Sequence, residues 1–545
     1  MNKKSLVTGG VCLSAGLAFL LAPACGSTNG SGFNPIGSSG SGGSGSGGGS
    51  GGGINDGGYV PPLSPGDGSA NPPAGDGGTV CVNLQCQQST CGDGGSATLT
   101  GHIYDPAGNN PLYKVVAYVP NADPEPIVDG ITADSCSCGS LYSGTPIADG
   151  ITDPSGAFVV PNAPVGTNIP LVIQIGKWRN YFVIPTVACG ENNLDTLLPA
   201  KLTLPKTQTE TKFSNIPNIA VSTGNADSLE CLLKRVGIAE SEYTGTPGAL
   251  PDGGQPGHIH IFAGTEKNDG ITTPVPVPNT ANPAGPSSAG AGGLWDSAPD
   301  INRYDVVLLS CEGQETTGTN STVLANYVNG GGRVFGSHYH YAFFNNAPEF
   351  TNVATWNTVN DGYTGAINAS IQTTLANGNP FPEGQALYTW LGNTVGALTG
   401  NVDAGTAVLP ITVARHDALV NAGNLGTVWA QSNGATPASS QYFSWDMPFN
   451  AALNDAGQPN YCGRVVFSDL HVGAGELDYG CQQSASNQCI YSSNGGATPT
   501  ACAANKLLPD EDAIEFILFD LSSCVTPVTA APQPPPPTPI IPPVK

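Results

Sequence analysis

The sequence predicts a multidomain chain with a disordered Gly/Ser stalk, then a β-sandwich, then an α/β domain built on an open parallel sheet. Three observations carry that prediction. Residues 26–78 are almost entirely Gly, Ser, Pro, Asn and Asp, a composition that buries no core. From Ala97 onward, short alternating runs are separated by Gly/Pro turns, the pattern of a sandwich. Beyond about residue 215, apolar runs alternate with helical spacing, which argues for a parallel sheet.

The first segment reads as a leader over 1–24. Lys3 and Lys4 form a basic start, 11–21 is apolar, and Ala22-Pro23-Ala24 places small residues before Cys25. The apolar run is too short for a spanning helix. This stretch resembles a bacterial lipobox, with Ala22 where a Leu is commonest. The resemblance implies lipidation of Cys25, by palmitate among other chains, and a membrane partner through that anchor; Gly26 beside it points to the outer membrane, facing the periplasm or the surface. An ordinary signal peptide cut near Ala24 is the alternative. The linker over 25–78 follows, and a coil of about fifty residues spans roughly 40 Å on average.

The chain carries 17 basic against 41 acidic side chains, a net charge of −24. Loss of the leader removes Lys3 and Lys4 and no acid. Such a surface repels phosphate backbones, so nucleic acid is not an expected partner. Of 15 cysteines, Cys12 belongs to the leader and Cys25 to the anchor, leaving an odd thirteen. In an exported chain most should be disulfide-bonded, with at least one left over; zinc knuckles are the competing use of close cysteines.

A Cys/Gly patch occupies 79–95. In the sandwich region, 96–205, Leu99, Gly101 and Ile103 alternate with polar residues before the Asp105-Pro106-Ala107-Gly108 turn. Residues 113–119 form the next strand, Thr152-Asp153-Pro154-Ser155-Gly156 turns into Phe158-Val159-Val160, and 171–175 and 181–184 complete the set. The Gly-x-Ile-Tyr-Asp-Pro start, the Thr-Asp-x-x-Gly-x-Phe turn and the Pro-x-Gly-Thr loop at 164–167 resemble the carboxypeptidase regulatory-like, or prealbumin-like, domain. That resemblance implies a non-catalytic sandwich of carbohydrate-binding-like fold, a spacer or an adhesive module open to a glycan or cell-wall ligand.

Residues 215–525 form the α/β part. Apolar strands are expected at 216–222, 258–262, 305–310, 333–337 and 463–470. Helices are expected at 228–236 and 321–328, and an amphipathic one at 511–521. Gly330-Gly331-Gly332 ends the second helix. Three runs carry a further resemblance: Tyr304-Asp305-Val306-Val307-Leu308-Leu309, the Tyr327 to His338 segment, and Gly463-Arg464-Val465-Val466-Phe467-Ser468-Asp469-Leu470-His471. They resemble the class I glutamine amidotransferase-like superfamily and its trehalose-utilisation-like branch, which implies a flavodoxin-like sheet, with 346–460 an unmatched insertion. In that family a nucleophilic cysteine follows the strand after the Gly-Gly turn; here Ser337-His338 stands there, so glutaminase chemistry is not expected. A Pro-rich tail closes the chain over 526–545.

Parallel sheets place ligands at the carboxyl ends of their strands. His338 and His340 fall there, as do Asp469 and His471, and spacing i, i+2 puts each pair on one face of an extended segment. These four suit a divalent metal such as zinc. Cys311 and Glu312 end a third strand, and with His338 as base they form a candidate catalytic set. Packing among Tyr339, Tyr341, Phe343 and Phe344, a capping role for Asp469 and a buried or disulfide-bonded Cys311 are the structural alternatives. The expectation for the whole chain is a cell-envelope protein with a binding, adhesion or spacer role; the alternative is an extracellular hydrolase using this sheet edge.

Overall fold

The computed structural model describes residues 81–530, apart from 89–90, 93–94, 133–134, 137–140, 223–226, 228, 245–256, 263–293, 295–296, 312–314, 316–320, 357–364, 435–436, 455–456, 472–481, 484–488 and 491–505. The leader, Cys25, the Gly/Ser segment, Glu312 and most of the Pro-rich tail lie outside the described residues. The chain is rich in sheet and has few helices.

The first part holds β1 (Ala97–Tyr104), β2 (Val116–Pro120), β3 (Pro146–Ile151), β4 (Ala157–Ala163), β5 (Gly166–Ile175), β6 (Trp178–Val187), β7 (Gly190–Asn193), α1 (Leu194–Leu197) and β8 (Leu202–Thr203). Two sheets result, β4-β1-β7 with β8 on β1, and β3-β2-β5-β6. Along β1 every second residue is buried, so Leu99 and Ile103 enter a core shared with Ala117, Leu171 and Ile173 of the other sheet. Asp105 ends β1 by accepting the Asn109 backbone N–H at 2.7 Å. Gly156 turns the chain into β4 at φ +77°, and a Cβ there would sit 2.8 Å from the Ile103 carbonyl.

Next come β9 (Ile219–Ser222), α2 (Leu229–Arg235), β10 (Tyr243–Thr244), β11 (Ile259–Phe262), α3 (Ala298–Ile301), β12 (Val306–Leu309), α4 (Ser321–Asn329), β13 (Arg333–Ser337) and α5 (Tyr341–Asn345). Then follow β14 (Thr355–Trp356), β15 (Gly365–Ile371), α6 (Pro382–Asn393), β16 (Leu409–Ala414), β17 (Ala418–Leu419), β18 (Thr427–Ser432), β19 (Ser440–Met447) and β20 (Gly463–Ser468). Two short strands, Gln482–Gln483 and Cys489–Ile490, precede α6's packing partner, the last helix α7 (Pro509–Ser522).

Ten of these strands form one sheet, ordered β10-β11-β9-β12-β13-β20-β19-β18-β15-β16. The first six run parallel and the last four antiparallel, so the sheet is mixed and not purely parallel as the sequence suggests. The segment read as an insertion supplies those four strands and continues the sheet. Its residues alternate between two faces: Phe443 and Trp445 join Phe344, Phe350 and Phe467 on one side, while Trp429 and Tyr442 join α6 and α7 on the other.

The last helix differs most from expectation. Its charges at Asp510, Glu511, Asp512, Glu515 and Asp520 are all buried, because α7 lies between the sandwich and the sheet and has no solvent face. Phe516 stacks on Tyr113 at 5.6 Å, Phe519 meets Trp178 edge-on at 5.5 Å, and the turn at Gly176 is pressed against the Ser522 carbonyl. One hydrophobic core therefore runs from β1 of the sandwich through α7 to β20.

Ion pairs follow the same route. Lys114 of the sandwich contacts Glu383 of α6 and, at 3.0 Å, Asp520 of α7. Arg464 at the start of β20 reaches Asp520 at 2.8 Å, Glu383 at 3.4 Å and Asp446 of β19 at 2.7 Å. Burial pushes the Lys114 ammonium toward neutrality, but Asp520 and Glu383 outweigh it and hold its pKa above the usual lysine range. Burial likewise works against the Asp520 carboxylate, and Lys114 and Arg464 still hold its pKa below the usual value.

Disulfides join Cys81 to Cys86, Cys91 to Cys189, and Cys136 to Cys462; Cys231 and Cys524 are also disulfide-bonded. The Cys136–Cys462 bridge spans 326 positions and ties the sandwich segment to the start of β20. Cys311 is buried and belongs to none of these three disulfides. Lys114→Met should destabilise the chain by about 3–5 kcal/mol in urea unfolding, because it strands two buried carboxylates on one arginine. Adding Glu383→Gln should cost less than the sum of the two single changes.

Candidate functional site

The carboxyl ends of β9, β12, β13 and β20 converge on one buried cluster. Past β12 the chain delivers Ser310 and Cys311; past β20 it delivers Asp469 and His471. At the end of β13, His338 takes φ +39°, a left-handed conformation that costs a non-glycine residue energy. This sharp turn lifts its imidazole over the strand ends.

His338 is the centre of the arrangement. Its Nδ1 stands 3.4 Å from Cys311 Sγ and 2.8 Å from His471 Nε2, and its Nε2 stands 3.0 Å from Asp417 Oδ2. Both Cys311 and His338 are 0% exposed and His471 is 5% exposed. Asp417, an acceptor when ionised, places a proton on His338 Nε2. His471 Nε2, already an acceptor for Arg415, accepts from Nδ1 as well, so both nitrogens of His338 carry protons and the Cys311 sulfur faces an imidazolium, the thiol proton having passed to the ring. Arg415 donates its Nε–H to His471 Nε2 at 3.2 Å and so holds the neighbouring ring.

Asp227 supports the cluster from the loop after β9. Its Oδ2 accepts the Cys311 backbone N–H at 3.0 Å and also the Ser337 hydroxyl. The residues on either side of the thiol–imidazole contact are thereby fixed by one carboxylate.

The sequence-derived candidates divide accordingly. Cys311, His338 and His471 come together. His340 does not: residues 338–340 form a single 3-10 turn and not an extended strand, so spacing i, i+2 sends the two rings apart. His340 hydrogen-bonds the Ser337 carbonyl at 2.9 Å and packs edge-on against Phe343, and burial pushes its pKa down to about 4. Asp469 also stands aside, accepting the Ala418 backbone N–H at 2.9 Å. Burial first, and then the neighbouring Asp417, raise its pKa well above the usual carboxylate range. Glu312 lies outside the described residues.

Besides Asp227, two members escape the sequence reading. Arg415 and Asp417 belong to the stretch between β16 and β17, inside the supposed insertion. Their signal is Arg415-His416-Asp417 itself, three consecutive ionisable residues directly after an alternating apolar run.

Cys311, His338 and His471 offer a sulfur and two nitrogens all within 4.8 Å of one another, a set that a divalent ion such as zinc would accept. Two nitrogens on one tetrahedral zinc lie about 3.3 Å apart, from bond lengths of about 2.05 Å. The 2.8 Å observed is a hydrogen-bond distance. Moreover, the His471 lone pair that a metal would need already receives the Arg415 N–H, and a guanidinium beside a dication is unfavourable. The residues fit a proton relay better than a metal cage.

Compared with known proteins, the chain matches no family model, and no curated protein resembles it at a significant level. Asp417→Asn should slow alkylation of Cys311 by iodoacetamide at neutral pH about tenfold or more, with the unfolding midpoint changed little. An unchanged rate would remove Asp417 from the relay.

Proposed function

We propose that this chain is a cysteine-dependent hydrolase of the cell envelope, held there by an acylated Cys25. The observation that supports this reading is His338 placed between the Cys311 thiol and the Asp417 carboxylate, the relation a nucleophile, its base and an orienting acid require. The chemistry follows from the atoms. His338 Nδ1 takes the thiol proton, and the Cys311 thiolate attacks the carbonyl carbon of an ester or amide. The imidazolium then returns its proton to the departing alcohol or amine, leaving a thioester. Water, deprotonated by the same imidazole, cleaves the thioester and restores the thiol. Asp417 holds the tautomer and offsets the charge on the ring throughout.

The α/β resemblance is compatible with this reading, since the histidine occupies the turn where an amidotransferase carries its cysteine and the thiol arrives from the adjoining strand. In this view the sandwich is a fixed partner of the sheet. A zinc site is the second reading, favoured by the three clustered ligand atoms. A binding or adhesion role without catalysis is what remains if neither holds.

The test uses the mature protein with p-nitrophenyl acetate and iodoacetamide. The expected result is a burst of p-nitrophenol, an acetyl adduct on Cys311 by peptide mass spectrometry, and loss of both in Cys311→Ala and His338→Ala. A thiol inert to both reagents in the folded protein would overturn the proposal. Elemental mass spectrometry decides the second reading: near-stoichiometric zinc, lost in His338→Ala with His471→Ala, would make the cluster a metal centre. The anchor is tested separately, since metabolic palmitate label should enter the membrane fraction with the native chain and be lost in Cys25→Ser.

A further inference from the structure

A cleft of about 940 Å³ opens between the sandwich and the α/β part. Its walls come from the turn after β1, the chain leaving β8, the end of α2, the end of α6 and the start of α7. Lys201, Lys206, Lys234 and Lys506 all line it, together with Arg235. The whole chain has only 17 basic residues against 41 acidic ones, so five at one cleft is a strong local reversal of sign.

Most of that charge is available to a ligand. Arg235 is spent internally on the buried Glu511, through two contacts of 2.6 Å. Lys234 has a distant carboxylate, Glu240, at 3.8 Å. Lys201 donates to the Gly108 carbonyl at 2.8 Å and lies over the Tyr104 ring; Lys506 donates to the Val395 carbonyl at 2.5 Å. Among the described residues, Lys201, Lys206 and Lys506 have no carboxylate within ion-pair distance. Backbone carbonyls therefore orient two of the ammonium groups without neutralising them.

Of the two acids in the wall, Asp105 is turned to its own loop, and Asp512 faces Asn110 with the Lys506 charge acting on it. Asp105 accepts the Asn109 N–H, while Asn110 donates to Glu515 at 2.6 Å and to Asp512 at 3.4 Å. Asn393 and Thr394 add neutral hydrogen-bonding groups on the opposite side. Among the described residues no Phe or Trp lines the cleft, and the nearby Tyr104 ring is covered by Lys201, so these residues offer a base no stacking surface.

We propose that this cleft binds an acidic oligosaccharide. Separated lysine point charges suit several anionic groups spaced along one chain, and the amide and hydroxyl side chains suit its hydroxyls. The site is distinct from the thiol cluster and independent of its chemistry.

Isothermal titration of the mature protein with an oligogalacturonate, a heparin oligosaccharide and neutral maltoheptaose tests this. At least one of the two acidic probes should bind, with affinity falling as salt rises, and Lys201→Ala with Lys506→Ala should weaken it about tenfold or more. Both lysines are exposed, so the variant should unfold at the native midpoint. Lys212→Ala, whose lysine pairs with Asp123 elsewhere on the surface, should change nothing. Carboxylate-only or sulfate-only binding would each support the site and identify the anionic group it reads. Failure of both acidic probes, equal binding of maltoheptaose, or undiminished binding in the double variant would overturn the proposal.

Discussion

The rest of the structure depends on a buried knot of five charges: Lys114, Glu383, Asp446, Arg464 and Asp520. It gathers the sandwich, α6, α7, β19 and β20 at one place, with every side chain at most 8% exposed. Bringing such charges out of water is costly, and their mutual attraction with good geometry only offsets that cost. What the knot secures is register, because no slipped packing of α7 or β20 would present the same partners. Arg464 sits near the start of β20, and four residues further that strand ends at Ser468, three before His471. The position of the histidine is thus set by charges at the opposite end of its strand. The Cys136–Cys462 bridge constrains the same strand from just before its first residue.

At the far end of the sheet the polar groups are arranged by the same economy. Each holds another: Asp227 fixes the Cys311 backbone, Asp417 fixes His338, Arg415 fixes His471, and Asp469 fixes Ala418 next to Asp417. A residue with φ near +39° at the centre of such a set is retained against its conformational cost. A histidine serving only as packing could sit on the strand in ordinary conformation, as His260 does beside Tyr304. His340 provides the closer contrast. It is two residues away, equally buried, and occupied with a carbonyl and an aromatic ring.

Much of the strand pattern is legible in the sequence because it rests on local periodicity. The alternation around Leu99 and Ile103, the all-apolar Val306–Leu309 and the glycines ending α4 each mark their element directly. The four antiparallel strands are harder to read. In β19 both faces are buried, so Tyr442, Phe443 and Trp445 lack the polar alternation that would reveal a strand. The charges of α7 mimic a solvent face and in fact meet Arg235, Asn110, Lys114 and Arg464, partners 56 to 406 positions away. Long-range pairing leaves no local trace. The same reason hides Asp417 from any reading that looks for site residues only at parallel strand ends.

The helix α2 runs between the thiol cluster and the lysine-rich cleft. Asp227 lies just before it and holds the Cys311 backbone, while Lys234 and Arg235 at its end line the lysine-rich cleft. Arg235 is anchored by Glu511 at the buried start of α7, so the end of α2 cannot shift without moving the helix that bears the central ion knot. α2 is short and buried along most of its surface, so it spaces the two places as a fixed element of the core and leaves the chemistry of each to its own residues.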